Sequence, residues 1–270
     1  MADNRKMIVA GVVLVGVLLA MTACARSETS FKFHPALGIC DAEEELYEAK
    51  NPMQELDTEY GSATMEYVVW KDGFLHVKIV ADYSSDADDW EQADQFLSVQ
   101  DEEKSKLTSL SRYCNYDEEQ KQLTIEQEYR SITPQGQYVL KLFDQTATIH
   151  MTSVPEYNSL KEIGTPVTHN GRTWVFQGTW DDDETLKLHA WGTSDDIWQM
   201  GRPMKEPVTP EDVKKDGFIQ WKQSGIEGSS SFEATVKVSE DIGYELKIPG
   251  ISLVTDMGED GPIVEIPVPA

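Results

Sequence analysis

The pattern of apolar and polar positions changes along the chain. Residues 7–23 form an almost unbroken apolar run behind the basic pair Arg5–Lys6, which is the layout of a secretory signal peptide. From about residue 61 onward, apolar and polar positions alternate in short runs separated by turn-forming residues. A period of two predicts β-strands. We therefore expect an all-β protein behind an N-terminal targeting segment.

The clearest strand pair is Thr64–Trp70 followed by Phe74–Ala81, with Asp72-Gly73 between them. Asp-Gly between alternating runs is typical of a two-residue β-hairpin. Many short strands separated by turns favour β-sandwiches, one at 61–155 and one at 167–270, joined by a linker at 156–166. Further strands are predicted at Phe96–Val99, Leu107–Tyr113, Leu123–Tyr129, Tyr138–Phe143, Ala147–Val154, Arg172–Thr179, Thr185–Trp191, Phe218–Gln223, Phe232–Val238, Tyr244–Ile248 and Ile263–Pro267.

Two short helices are also predicted. Residues 24–60 read as a tether with a helix at Asp41–Lys50, because acids occupy its first turns, Lys50 its last, and Asn51-Pro52 follows. A second helix should begin at Thr209-Pro210 and end before Gly217.

The second half of the chain resembles the first. Trp70–Trp90 can be laid on Trp180–Trp198, since both read Trp, acidic turn, alternating strand, Ser-Asp loop, Trp. Two later matches follow at similar offsets, Tyr138 with Tyr244 and Val154-Pro155 with Val268-Pro269. Chance similarity between alternating strands is the alternative, but three anchors in one order favour a tandem repeat.

The residues before the mature region carry a family resemblance. Met21-Thr22-Ala23-Cys24 resembles the bacterial lipobox, with Met21 where Leu is usual. The resemblance implies cleavage of a signal peptide at 1–23 and lipid attachment to Cys24. Cleavage as an ordinary signal, or an uncut anchor, are the alternatives, and all three put the remaining chain outside the cytoplasm. Gly136-Gln137-Tyr138 enters a late strand of the first half and resembles the tyrosine corner of immunoglobulin-like domains. The whole chain, a lipobox followed by two such halves, resembles Gram-positive lipoproteins with tandem immunoglobulin-like domains.

Charge and cysteine content limit the partners. The formal net charge of −25 argues against nucleic-acid binding and leaves the lipid, not a protein face, as the membrane contact. Cys40 and Cys114 remain for a disulfide, which is plausible in an oxidising compartment, with two unpaired thiols as the alternative. Too few cysteines remain for a thiolate zinc site.

Candidate chemistry is sparse. The sequence contains no nucleophile elbow, P-loop or zinc-protease motif, and the scattered histidines read as solvated strand residues. Carboxylate oxygens of acidic loops could hold Ca²⁺, although solvated loops are the simpler interpretation. These carboxylates are Asp86, Asp88, Asp89, Asp181, Asp182 and Asp183. Trp90 and Trp198 follow the Ser-Asp loops and either cap the cores or form a platform for a glycan.

These observations predict two tandem immunoglobulin-like β-sandwiches on a lipid anchor, acting as a binding, sensing or structural module without catalysis. A surface protein or a glycan is the expected partner. The alternatives are a Ca²⁺-stabilised spacer and a carboxylate-based glycan-active enzyme. Chain order places the first sandwich near the membrane and the second outward.

Overall fold

The computed structural model describes residues 30–51, 53–83, 97–157, 159–169, 172–182, 185–192, 200–204, 221–226, 228–237, 250–255 and 263–267. Within these ranges the chain forms strands, with one 3₁₀ turn at Leu160–Glu162 and no α-helix. The all-β prediction is therefore confirmed. None of the described segments is a helix with the length and apolar character needed to cross a bilayer. The predicted signal segment, Cys24 and the helix predicted before Gly217 lie outside the described residues.

The first unit is one antiparallel sheet wrapped around a core. Its strands are β3 (Leu46–Ala49), β4 (Gln54–Thr58), β5 (Gly61–Lys71), β6 (Phe74–Asp82), β7 (Leu97–Gln100), β8 (Thr108–Asp117), β9 (Gln122–Arg130), β10 (Gln137–Leu142) and β11 (Gln145–Ser153). They run in the order β7-β10-β11-β3-β5-β6-β9-β8, with β4 also on β5. Leu107 N donates to Val99 O at 2.9 Å, so the residue before β8 returns to β7.

Alternation explains why these strands enclose a core. In β6, Leu75, Val77 and Ile79 are buried while His76 and Lys78 lie on the opposite face, as the sequence predicts. At the β5–β6 turn, Asp72 and Gly73 have φ of 52° and 89°, which is the conformation that a two-residue hairpin requires.

The second unit has two antiparallel sheets. Its strands are β13 (Thr165–His169), β14 (Arg172–Trp180), β15 (Thr185–Gly192), β16 (Met200–Met204), β17 (Lys222–Gln223), β18 (Ser231–Lys237), β19 (Gly250–Thr255) and β20 (Ile263–Pro267). A five-stranded sheet runs β13-β14-β15-β18-β17, and a three-stranded sheet runs β16-β19-β20. Ile266 of the smaller sheet packs in one core with Trp174 and Leu188 of the larger. Both units are consistent with β-sandwich domains.

The strand order repeats between the units. The path β3-β5-β6-β9-β8 of the first unit recurs as β13-β14-β15-β18-β17, and β7-β10-β11 recurs as β16-β19-β20. Trp70 pairs with Leu75 across the β5–β6 hairpin, and Trp180 pairs with Leu186 at the matching position of the β14–β15 hairpin. The predicted match of Tyr138 with Tyr244 cannot be placed, because Tyr244 lies outside the described residues. In the strand order, β19 takes the place of β10. The topology therefore supports a tandem repeat.

Within the segment predicted as a tether, residues 31–34 and 38–41 form strands. β1 (Phe31–His34) and β2 (Gly38–Asp41) form a hairpin, and β1 also pairs with β12 (Glu156–Tyr157) in the predicted linker. Phe31 packs with Val175 and Trp191 of the second unit, while Leu37 and Cys40 pack with Leu46 and Val69 of the first. The N-terminal hairpin thus lies between the units.

The helix predicted at Asp41–Lys50 is wrong. Residues 46–49 form β3, which lies between β11 and β5. Leu46 and Ala49 are buried in this strand, whereas Glu48 is only partly buried. The acids that suggested a helix N-terminus are instead in the turn that leads into β3.

Candidate functional site

The two units enclose a cleft. Two adjoining cavities of about 500 and 820 Å³ lie between them. Both are lined by Lys78 of the first unit and by Ser224, Gly225 and Glu233 of the second, so the two cavities adjoin and together make up the cleft. Cavities of this size at a junction between domains are where small ligands commonly bind.

The first wall is a row of side chains across four neighbouring strands. Tyr67 of β5 pairs with Lys78 of β6, Lys78 pairs with Glu126 of β9, and Glu126 pairs with Tyr113 of β8. All four line the cleft. They lie on the face of the sheet opposite the core, because Val77 and Ile79, which flank Lys78, are buried inward.

The second wall is built in the same way. Gln177 of β14 pairs with His189 of β15, His189 pairs with Glu233 of β18, and Glu233 pairs with Lys222 of β17. These residues also line the cleft. On β15, Leu188 and Ala190 are buried, so His189 lies on the face away from the core.

The two rows occupy equivalent positions of the repeat. Counted from the matched pairs Trp70–Leu75 and Trp180–Leu186, Lys78 corresponds to His189. Their strand partners then correspond as well, so Glu126 and Glu233 are equivalent carboxylates. The same face of each repeat is turned toward the other, and the cleft is the space between them.

The cleft has a negative electrostatic character. Lys78 Nζ lies 3.0 Å from Glu66 Oε2 and 3.5 Å from Glu126 Oε1. Burial acts to lower the pKa of Lys78, but the two glutamates outweigh it and raise that pKa above its usual range. Burial, with the charges of Glu126 and Glu66, also raises the pKa of Tyr67. Both shifts mean that positive charge is favoured here and negative charge is disfavoured.

The N-terminal hairpin closes one end of the cleft. The carbonyl of Pro35 accepts hydrogen bonds from Trp191 Nε1 at 3.0 Å and from Ser231 Oγ at 2.6 Å. The backbone N–H groups of Ile226 and Ser230 donate to Ala36 O and Leu37 O at 3.1 and 3.3 Å. Ser230 Oγ also donates to Leu37 O at 3.3 Å. This turn therefore binds the second unit through five hydrogen bonds, while β2 packs on the first.

Aromatic side chains cover the same end. Trp191 is buried, with Phe33 edge-on to it at 5.0 Å and His189 stacked at 5.7 Å between ring centroids. Burial lowers the pKa of His189, partly offset by Glu233. The structure places Trp191 on the cleft face of β15, where the hairpin buries it.

His34 fixes the hairpin turn from within. Its Nδ1 accepts a hydrogen bond from the N–H of Ala36 at 3.1 Å, so the proton of the neutral ring must be on Nε2, which lies 3.5 Å from Glu48 Oε2. Burial lowers the pKa of His34 to about 4. The expectation of a solvated strand histidine is therefore wrong here, because His34 is buried.

The structure gives little support to the acidic loops as a site. Asp181 and Asp182 are exposed, and Asp181 Oδ1 pairs with Lys187 Nζ at 2.9 Å. Within the described ranges, no group of three or more His, Cys, Asp or Glu side chains is placed to hold a metal ion. The remaining candidates lie outside those ranges: Asp86, Asp88, Asp89, Asp183, Trp90 and Trp198.

The predicted Cys40–Cys114 disulfide is not formed. Cys40 is buried in the cluster between the hairpin and the first unit, and burial raises its pKa to about 11. Cys114 lies on β8 opposite Ile125 and packs against the main core of the first unit. The two thiols belong to different clusters.

The cleft was missed from the sequence, although one signal was available. The match of Trp70–Trp90 with Trp180–Trp198 contains both Lys78 and His189, which become equivalent once Leu75 is aligned with Leu186. That the two rows face each other across a cleft, however, depends on how the hairpin packs between the units.

No protein-family model, no curated protein and no solved structure matches this chain.

Proposed function

We propose that this chain is a lipid-anchored extracytoplasmic binding module that holds a small ligand between its two repeats without catalysis. One observation carries the proposal: equivalent faces of the two repeats line a single cleft, and the N-terminal hairpin closes one end of it. A preformed space at a junction between domains, with aromatic rings and a few charged groups, is typical of a ligand site.

The position of the hairpin gives the anchor a direct relation to the cleft. If Cys24 carries lipid, the residues between it and Phe31 can span roughly 20 Å when extended. β1 lies at the junction of the units, so the lipid would hold the cleft, rather than the far end of the first unit, next to the membrane. This replaces the arrangement expected from chain order, with the first unit near the membrane and the second outward.

Ligand binding in the cleft can be tested with a blocked variant. Gln177→Trp fills the cleft from an exposed position, and Thr179→Trp, exposed two residues further on the same strand and outside the cleft lining, is the matched control. We expect a compound from a library of amines, amino acids, sugars and carboxylates to raise the Tm of the full chain in mild detergent. At a hundredfold excess over Kd the gain is about 2.7 kcal/mol, which raises the Tm by roughly 5 to 10 °C.

The same shift should occur in Thr179→Trp and be lost in Gln177→Trp. Equal shifts in both variants, or chemical conversion of the bound compound measured by mass spectrometry, would contradict the proposal.

Anchoring is tested separately, by fractionating cells of a Gram-positive host that express the full chain. We expect the wild type in the membrane fraction with a mass increase at Cys24, and Cys24→Ser without that increase. A wild-type chain found in the cytoplasm would rule the anchoring out.

A further inference from the structure

Negative charge is distributed along the whole length of the cleft. Glutamates line both cavities and come from both units: Glu66 and Glu162 in the smaller, Glu126 in the larger and Glu233 in both. They outnumber the lysines of the lining, Lys78 and Lys222. The net charge of −25 for the chain adds a long-range field that attracts cations toward such a cleft.

Lys78 shows which chemical group this environment accepts. Its ammonium is held by Glu66 and Glu126, and its protonated form is favoured despite partial burial. On the opposite wall, Glu233 occupies the position equivalent to Glu126. In the described part of the chain, however, no lysine or arginine forms a salt bridge with Glu233.

Aromatic rings lie among these carboxylates. Tyr67, Tyr157 and Trp191 line the smaller cavity, and Tyr113, which is 56% exposed, lines the larger. Ring faces attract ammonium groups and also cover methylene chains. The lining therefore suits a ligand with separated positive charges and an apolar backbone.

We propose that the cleft binds a linear di- or polyamine, with one ammonium at Glu233 and another toward Glu162 or Glu126. This inference rests on the proposed function and names its ligand class. Each wall crosses four strands, roughly 14 Å at the usual strand spacing, which matches an extended polyamine. A compact metal ion fits less well, because the carboxylates stand on opposite walls and the described residues hold no metal-binding cluster. Anionic ligands are repelled.

Isothermal titration calorimetry of the full chain with spermidine tests this assignment. We expect one saturable site, weakened about tenfold in Glu233→Gln, because a charge-assisted hydrogen bond is lost. Glu55→Gln makes the same charge change at an exposed position of β4 and should leave the affinity within twofold. Triethylene glycol, of similar length but uncharged, should not bind. An unchanged Tm for each variant shows that it is folded.

Two results would overturn the polyamine assignment. One is equal weakening by Glu233→Gln and Glu55→Gln, which would mean nonspecific attraction to an acidic protein. The other is no binding of spermidine. If a sugar or another neutral compound then binds in a way that Gln177→Trp blocks and Thr179→Trp does not, the binding module stands and only its ligand class is wrong. If no compound behaves so, the proposed function fails as well.

Discussion

Acidification should loosen the hairpin that joins the two repeats, because His34 must be neutral to make its contacts. Its Nδ1 accepts the N–H of Ala36, and a protonated ring could not accept that bond. The groups around the ring are the Glu48 carboxylate, 3.5 Å from Nε2, and the Tyr67 ring, edge-on at 6.4 Å between centroids. Burial is the cause of the lowered pKa.

The magnitude follows from the two protonation equilibria. The pKa of His34 falls from an ordinary 6.5 to about 4 in the folded chain. The unfolded chain therefore takes up a proton as the pH falls below 6.5, and the folded chain does so only near pH 4. The contribution of neutral His34 to the free energy of unfolding is complete above pH 6.5 and is lost as the pH falls toward 4. At about 1.4 kcal/mol for each pKa unit, the loss is about 3 kcal/mol.

Urea denaturation followed by tryptophan fluorescence between pH 7.5 and 4 measures this effect. His34→Asn is the comparison, since an asparagine side chain can accept the N–H two residues on but does not titrate. We expect the wild type to lose about 3 kcal/mol more than the variant over this range. The difference removes the contribution of His76, whose pKa burial also lowers to about 4. Parallel pH curves for the two proteins would show that protonation of His34 does not loosen the hairpin.

Two further predictions concern the junction and the thiols. Gly225→Ala places a Cβ 2.2 Å from Ala36 O, at a φ of +75°, whereas Gly228→Ala has a similar φ of +78° and nothing within 4 Å. Gly225→Ala should therefore lower the free energy of unfolding by at least about 1 kcal/mol more than Gly228→Ala, measured by urea denaturation; equal losses would mean that the hairpin does not pack there. A reductant should leave the Tm unchanged, because Cys40 and Cys114 form no disulfide; a drop of several degrees in calorimetry would show that they do.

Strand positions could be predicted because each depends on its own residues. The alternation around Leu75–Ile79 and the Asp72-Gly73 turn determine β5 and β6 without reference to the rest of the chain. The same reasoning failed at Asp41–Lys50, where a run of acids is compatible with a helix. There the burial of Leu46 and Ala49 between two strands decides the conformation, and that is a tertiary effect.

The cleft could not be predicted because it depends on which faces meet. Nothing in the sequence around Glu233 distinguishes it from the other glutamates of the chain, and its position across the cleft from Glu126 results from tertiary packing. The disulfide prediction was wrong for a related reason, because the number of cysteines carries no information on the distance between them.

The proposed function requires that the N-terminal hairpin holds the two repeats face to face around one cleft. Amide hydrogen exchange of the full chain, read by NMR at Ile226 and Ser230, tests it most directly. Their N–H groups donate to the hairpin turn, so we predict exchange almost as slow as at Ile125 in the core of the first unit. Gly225→Ala should accelerate exchange at both positions and leave Ile125 slow. Fast exchange at Ile226 and Ser230 in the wild type would show that the hairpin does not hold the second unit.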